Sequence, residues 1–130
     1  MIKNPAYTYL QNMVESASPL EHIIMLYDKA ISCTEEAIRL FDYKDDLEKR
    51  KEFIYNLDRV YEIVSVLRAF LDMEKGGEIA KNLSQIYTII LNTLVNPNKT
   101  KEELLKIAEI LRELKESWEY VKKCEVEKSV

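Results

Sequence analysis

The residue types that perform most protein chemistry are sparse in this chain, and their spacing does not suit it. His22 is the only histidine. No Glu-x-x-His step accompanies it, so the pairing that lets two helices of a bundle hold a metal is missing, and His22 reads as a surface residue near a helix start. Cys33 and Cys124 lack C-x-x-C spacing and read as free thiols of an intracellular chain. The carboxylates Glu35-Glu36, Asp45-Asp46 with Glu48, Glu102-Glu103, and Glu109 with Glu113 are spaced as solvated faces or as first-turn charges that complement a helix dipole. Phosphate-cradling glycine loops and nucleophile elbows are absent from the sequence. The nearest enzymatic class is an all-α nucleotide pyrophosphohydrolase holding Mg²⁺ between carboxylates on two helices. The expectation is instead a protein that is not an enzyme and takes no cofactor.

The elements that carry these residues read as helices. Of 130 residues 47% are hydrophobic and 32% charged, with two glycines and three prolines, a helical composition for a single domain. Ser18-Pro19-Leu20-Glu21 offers an N-cap, a first-turn proline and a capping glutamate. The stripe that follows is Leu20, Ile23, Ile24, Tyr27, Ala30, Ile31, Thr34, Ala37, Ile38 and Phe41. Asp45 with Glu48 opens a second helix, whose stripe is Phe53, Ile54, Leu57, Val60, Tyr61, Val64, Leu67 and Leu71. Gly76-Gly77 is the helix-to-helix corner, since glycine is costly inside a helix and permissive outside it.

A third helix buries Ile79, Ala80, Leu83, Ile86, Tyr87, Ile90 and Leu94 and stops at Asn96-Pro97-Asn98. Thr100 with Glu103 caps a fourth, which buries Leu104, Ile107, Ala108, Leu111, Leu114, Trp118 and Val121. Short connections favour antiparallel neighbours, so the expected fold is an all-α, antiparallel up-down-up-down four-helix bundle over residues 18–124. Residues 125–130 are expected to fray. Residues 1–17 form a leader too apolar for a solvated tail, with Tyr7, Tyr9, Leu10, Met13 and Val14, and are expected to dock on the bundle.

Net charge is −4 with both signs interspersed, so no basic face for nucleic acid is evident. Residues 82–98 are interrupted by polar groups and are no membrane span, and residues 1–15 lack a secretory pattern, which together predict a cytoplasmic protein.

The apolar arcs are wider than a bundle needs. Leu26, Cys33 and Leu40 extend the first helix's arc to roughly 200°, where a ~100° stripe suffices for one-sided burial. On the second helix Tyr55, Ile63, Val66, Phe70 and Met73 gather on a further face interrupted by Asn56 and Arg59. Ile89 beside Asn82 and Thr93 suggests the same on the third. Anchors at i, i+3, i+7 and i+10 suit a partner's amphipathic segment, and Met and aromatic side chains adapt to one. Homodimer contact, or a helical adaptor whose stripes serve self-association, is the competing reading.

Three stretches carry a family resemblance. Ala6-Tyr7, Ser16-Ala17-Ser18-Pro19 and Met25-Leu26-Tyr27-Asp28-Lys29-Ala30 resemble the opening of the flagellin-specific export chaperones, the FliS family. Residues 71–83, from Leu71-Asp72-Met73-Glu74 through Gly76-Gly77-Glu78 to Asn82-Leu83, look like that family's most diagnostic segment, continuing to Ile86-Tyr87. Leu111-Arg112-Glu113-Leu114 with Trp118-Glu119 is similar to its last helix. One departure is visible: Lys29 stands where the family usually has glycine, a change that stabilises an exposed helix position by roughly 0.5–1 kcal/mol.

The resemblance implies a chaperone that binds the C-terminal segment of flagellin, blocks premature polymerisation and presents it to the flagellar type III export apparatus. The client is then expected to wrap faces bearing Leu26, Cys33, Tyr55, Asn56, Ile63, Val66, Phe70, Asn82 and Ile89. Tyr7 and Leu10 of the leader are expected to plug the client groove until displaced, the alternative being a permanently docked cap, with Tyr7 also a candidate contact for the export gate. Asp72, Glu74, Gly76, Gly77 and Glu78 are expected to set the corner, and Tyr87 and Trp118 to lie in the core.

Overall fold

The computed structural model describes residues 19–43 and 45–128, the side chains of 126–128 excepted. Among them are four helices and no strand. Helix α1 spans Pro19–Leu40 and runs into a 3₁₀ turn, Phe41–Tyr43. Helix α2 spans Leu47–Ala69, α3 Gly77–Val95 and α4 Lys101–Lys128. The expected leader, with Tyr7 and Leu10, and the Ser18 cap lie outside the described residues.

Local chemistry sets each boundary. Asp46, one residue later than expected, caps α2: its Oδ1 accepts the backbone N–H of Glu48 at 3.0 Å and of Lys49 at 3.2 Å. Helix α2 ends at Ala69, before the glycines, because Asp72 builds its own turn, accepting the N–H of Glu74 at 3.1 Å and of Lys75 at 2.9 Å. The Gly76 N–H then donates to the Asp72 carbonyl at 2.8 Å. The two glycines serve different ends. Gly77 has φ +54°, where a side chain is strained, while a Cβ on Gly76 would lie 2.8 Å from the Asp72 carbonyl oxygen and 2.5 Å from the Ala80 Cβ. Thr100 and Glu103 form the reciprocal capping box at the start of α4, with bonds of 3.1 and 3.2 Å. At its far end α4 persists to Lys128 where fraying from 125 was expected. The tail is rich in residues of good helix propensity, among them Lys122, Lys123 and Glu125.

Helix α1 is the middle of the bundle, packed against both α2 and α4; α3 lies chiefly against α2. The chain directions follow from a ladder of ion pairs between α1, continued by its 3₁₀ turn, and α4. Glu21, Asp28, Glu35 and Asp42 meet Lys122, Lys115, Arg112 and Lys101 in reverse order, so the two helices are antiparallel. Exposed pairs of this kind contribute little stability individually, but their order specifies register. Ala30 and Ala37, both fully buried, let α1 approach its neighbours closely, and the core fills with Tyr27, Val60, Val64, Ile90, Leu104 and Leu111.

Four expected core residues are corrected. Ile54, Tyr61, Ile79 and Val121 are exposed. On α2 the buried arc is centred on Val60, Ile63, Val64 and Leu67, a rotation that turns Ile54 and Tyr61 outward. His22 is corrected in the other direction, being buried.

Candidate functional site

The arc on α1 that exceeded a one-sided stripe is used inside the protein. Leu26 and Cys33 are only 2% and 5% exposed, and Ile63 on α2 is at 0%, so their expected place on an open client face is corrected. A helix with neighbours on two sides needs two adjoining apolar faces, which is why α1 carries so wide an arc. Arg59 of α2 lies near enough to Cys33 to act on it electrostatically. Burial nevertheless pushes the thiol up, with Lys29 and Arg59 opposing.

The excess remains on α3, α4 and the end of α2. Helices α3 and α4 barely touch. Ile86 on α3 and Ile110, Leu114 and Trp118 on α4 are therefore only half-buried against the core. Ile79 and Ile89 on α3 are 72% and 62% exposed. Where the seam meets the glycine corner it deepens into a groove of about 370 Å³. It is lined by Leu67 of α2, by Phe70 and Leu71 just past its end, by Ile23 of α1 and by Trp118 of α4. Ile79, Ala80 and Leu83 of α3 complete it, and Asp72, Lys75 and Gly76 form its polar rim.

Tyr87 lies at the groove floor, where its hydroxyl is hydrogen-bonded to that of Tyr27 on α1. Tyr27 has a further side-chain partner in Trp118, whose indole N–H can only donate. Burial is the main cause that raises both phenols above the ordinary tyrosine range. Three helices thus meet in one buried polar node beneath an apolar trough. Such a trough is suited to receiving apolar side chains of another polypeptide rather than to catalysis.

The structure brings together some expected residues and separates others. Phe70 and the corner's Asp72 and Gly76 line the groove, with Glu74, Gly77 and Glu78 beside it in the same turn. Asn82 and Ile89 are exposed along α3. Tyr55 is exposed and Val66 half-buried on α2, and half-buried Asn56 donates its Nδ2 to the Glu52 carbonyl at 2.8 Å, a bond within its own helix. Sequence reasoning missed Ile79, Leu114 and Trp118 as seam residues because all three fit a core stripe, and it did not single out Ile110. Among the described residues no group of three His, Cys, Asp or Glu is placed to hold a metal, and no helix is long and apolar enough to cross a membrane.

Known proteins share this sequence pattern. The family described as flagellar protein FliS matches residues 2–125. The flagellar secretion chaperone FliS of Salmonella typhimurium is 34% identical over 122 residues, 92% of this chain and 88% of the relative. That of Campylobacter jejuni is 33% identical over 125 residues, 93% and 94% of the two chains. That of Bacillus subtilis is 27% identical over 120 residues, 90% and 85% of the two chains.

Proposed function

Because this chain belongs to the flagellar protein FliS family, we propose that it is a cytoplasmic flagellar export chaperone that binds the C-terminal segment of flagellin. It holds that segment unpolymerised and hands it to the flagellar type III secretion apparatus, where a component of the export gate is its second partner. Filament-forming apolar stripes on a free client need cover, and this bundle has apolar surface to provide it. The observation that carries the reading is the open α3–α4 seam, with Ile79 lining the groove at 72% exposure and Ile89 exposed at 62% further along α3.

Wrapping by a segment that folds on binding buries on the order of 1,000–3,000 Å², and its ordering costs about 2–5 kcal/mol, which keeps release feasible. The seam and the end groove take the helical parts of the client, and Phe70, Asn82 and Ile89 are contact residues. The test is calorimetry of the full chain with the flagellin C-terminal segment, together with a flagellin polymerisation assay. The expected result is saturable binding and loss of filament growth at equimolar chaperone. Absence of both sinks the proposal.

A second reading rests on a separate observation. Leu47, Ile54 and Tyr61 are exposed on α2 at seven-residue spacing, the seam of a two-helix contact, which favours self-association of the client-free chain. Light scattering across a concentration series distinguishes a monomer from a dimer.

A further inference from the structure

The outward side of α2 carries one apolar row and a pair of opposite charges. Leu47, Ile54 and Tyr61 are exposed and recur every seven residues, while Phe53, Leu57, Val60 and Val64 of the same helix are buried in the core. Arg50 and Asp58, also exposed, stand one helical turn before and one after Ile54, so the three lie along one row at i, i+4 and i+8. Neither charge forms an ion pair among the described residues, although Lys51 beside them is paired with Glu48. Counted from Ile54 the face is therefore balanced. An apolar side chain stands seven residues away in each direction, and opposite charges stand four residues away in each direction.

We infer that two copies of this chain pair α2 against α2, antiparallel, about a two-fold axis at Ile54. The inference rests on the self-association reading and fixes its surface and register. A two-fold contact sets each residue opposite the one equally far beyond the axis. Ile54 then meets its own counterpart, Leu47 meets Tyr61 of the second copy, and Arg50 meets Asp58 of the second copy twice, about 6 Å from the axis along the helix. A parallel alignment sets Arg50 against Arg50 and Asp58 against Asp58, which like-charge repulsion disfavours. A second copy is favoured over another polypeptide because the charges on this face complement themselves when the helix is reversed. One apolar residue every two turns is a narrow seam and exposed ion pairs add little each, so the dimer is expected to be weak, with a dissociation constant above about 1 µM.

The test is sedimentation equilibrium of the full chain from about 0.01 to 1 mM, a range that brackets weak pairing, with variants checked by circular dichroism. Ile54→Asp is expected to weaken pairing at least about 30-fold. Arg50→Asp and Asp58→Arg each make both cross-pairs repulsive and are expected to weaken it about ten-fold, while the two substitutions in one chain restore it to within about three-fold of the parent. A parallel contact gives no such rescue. A dimer unmoved by Ile54→Asp, or charge variants without rescue, overturns the inference. Pairing that appears only after residues 1–17 are removed assigns the row to the chain's own leader, and flagellin binding weakened by Ile54→Asp assigns it to the client; either result overturns it too. A chain that stays monomeric throughout removes the self-association reading along with the inference, whereas a dimer indifferent to these substitutions removes the inference alone. Titration of the flagellin segment into the parent tests the chaperone reading separately.

Discussion

Tyr27 on α1 and Tyr87 on α3, sixty positions apart, share a hydrogen bond between their hydroxyls at the floor of the groove. The pair ties the central helix to the helix that α4 barely touches, so the seam has a fixed base even though its walls are splayed. Its consequences for stability follow from burial.

Tyr87→Phe removes one partner and leaves Tyr27 with Trp118, so a loss of about 1 kcal/mol is expected in urea denaturation. The pH dependence has a defined sign. Both phenols are raised in the folded protein, so their contribution is complete below the unfolded value near 10 and is lost as pH rises beyond it. Stability is expected to fall above about pH 10 by up to roughly 1.4 kcal/mol per pH unit for each tyrosine, and less steeply in Tyr87→Phe. Equal slopes for the two proteins would contradict the buried pair.

The corner glycines are expected to resist substitution for different reasons. Gly77→Ala places a side chain at φ +54° and loses about 1–2 kcal/mol. Gly76, in ordinary helical backbone at φ −79°, has no such strain, but a Cβ there is driven into the Asp72 carbonyl and Ala80, overpacking that costs about 1–3 kcal/mol. Either alanine variant as stable as the parent in chemical denaturation would refute this account of the turn.

The two thiols are expected to react at different rates. Cys33 is buried and its pKa is raised by burial, whereas Cys124 is partly accessible. A thiol-reactive chromophore at neutral pH should label Cys124 promptly and Cys33 only through opening of the bundle, about 100-fold more slowly or less. Biphasic kinetics that collapse to one fast phase in denaturant are the expected pattern, and a single fast phase under native conditions would contradict it.

Lys29 is exposed within α1. Lys29→Gly is expected to destabilise the bundle by roughly 0.5–1 kcal/mol through helix propensity alone, read as a lower urea midpoint. A glycine variant as stable as the parent would show that Lys29 is strained there.

Most of the fold was legible in the sequence because its signals are local. Pro19 at the start of α1, the Thr100–Glu103 box and the glycine pair each mark a boundary through one or two backbone groups. The rotation of each helix was harder. On α2 apolar residues flank both sides of the stripe, so periodicity alone favoured Ile54 and Tyr61 over Ile63, and only the positions of α1 and α3 decide between them. The same ambiguity placed Leu26 and Cys33 on a client face, although α1 needs them between two neighbours. Conversely, Ile79, Leu114 and Trp118 kept a perfect core spacing while the α3–α4 seam stayed open, a fact about helix separation that no single helix encodes.

The central claim, that the open seam and its end groove receive flagellin, is tested most directly by titrating the flagellin C-terminal segment into Phe70→Asp, Ile89→Asp and, as an exposed control on the outer face of α2, Ile54→Asp. All three side chains are exposed, so helical content should be unchanged. A carboxylate in an apolar contact costs a few kcal/mol, so the first two substitutions are expected to weaken binding at least about 30-fold and the third less than about two-fold. Flagellin affinity that is unmoved by Phe70→Asp and Ile89→Asp, or moved equally by Ile54→Asp, would contradict it.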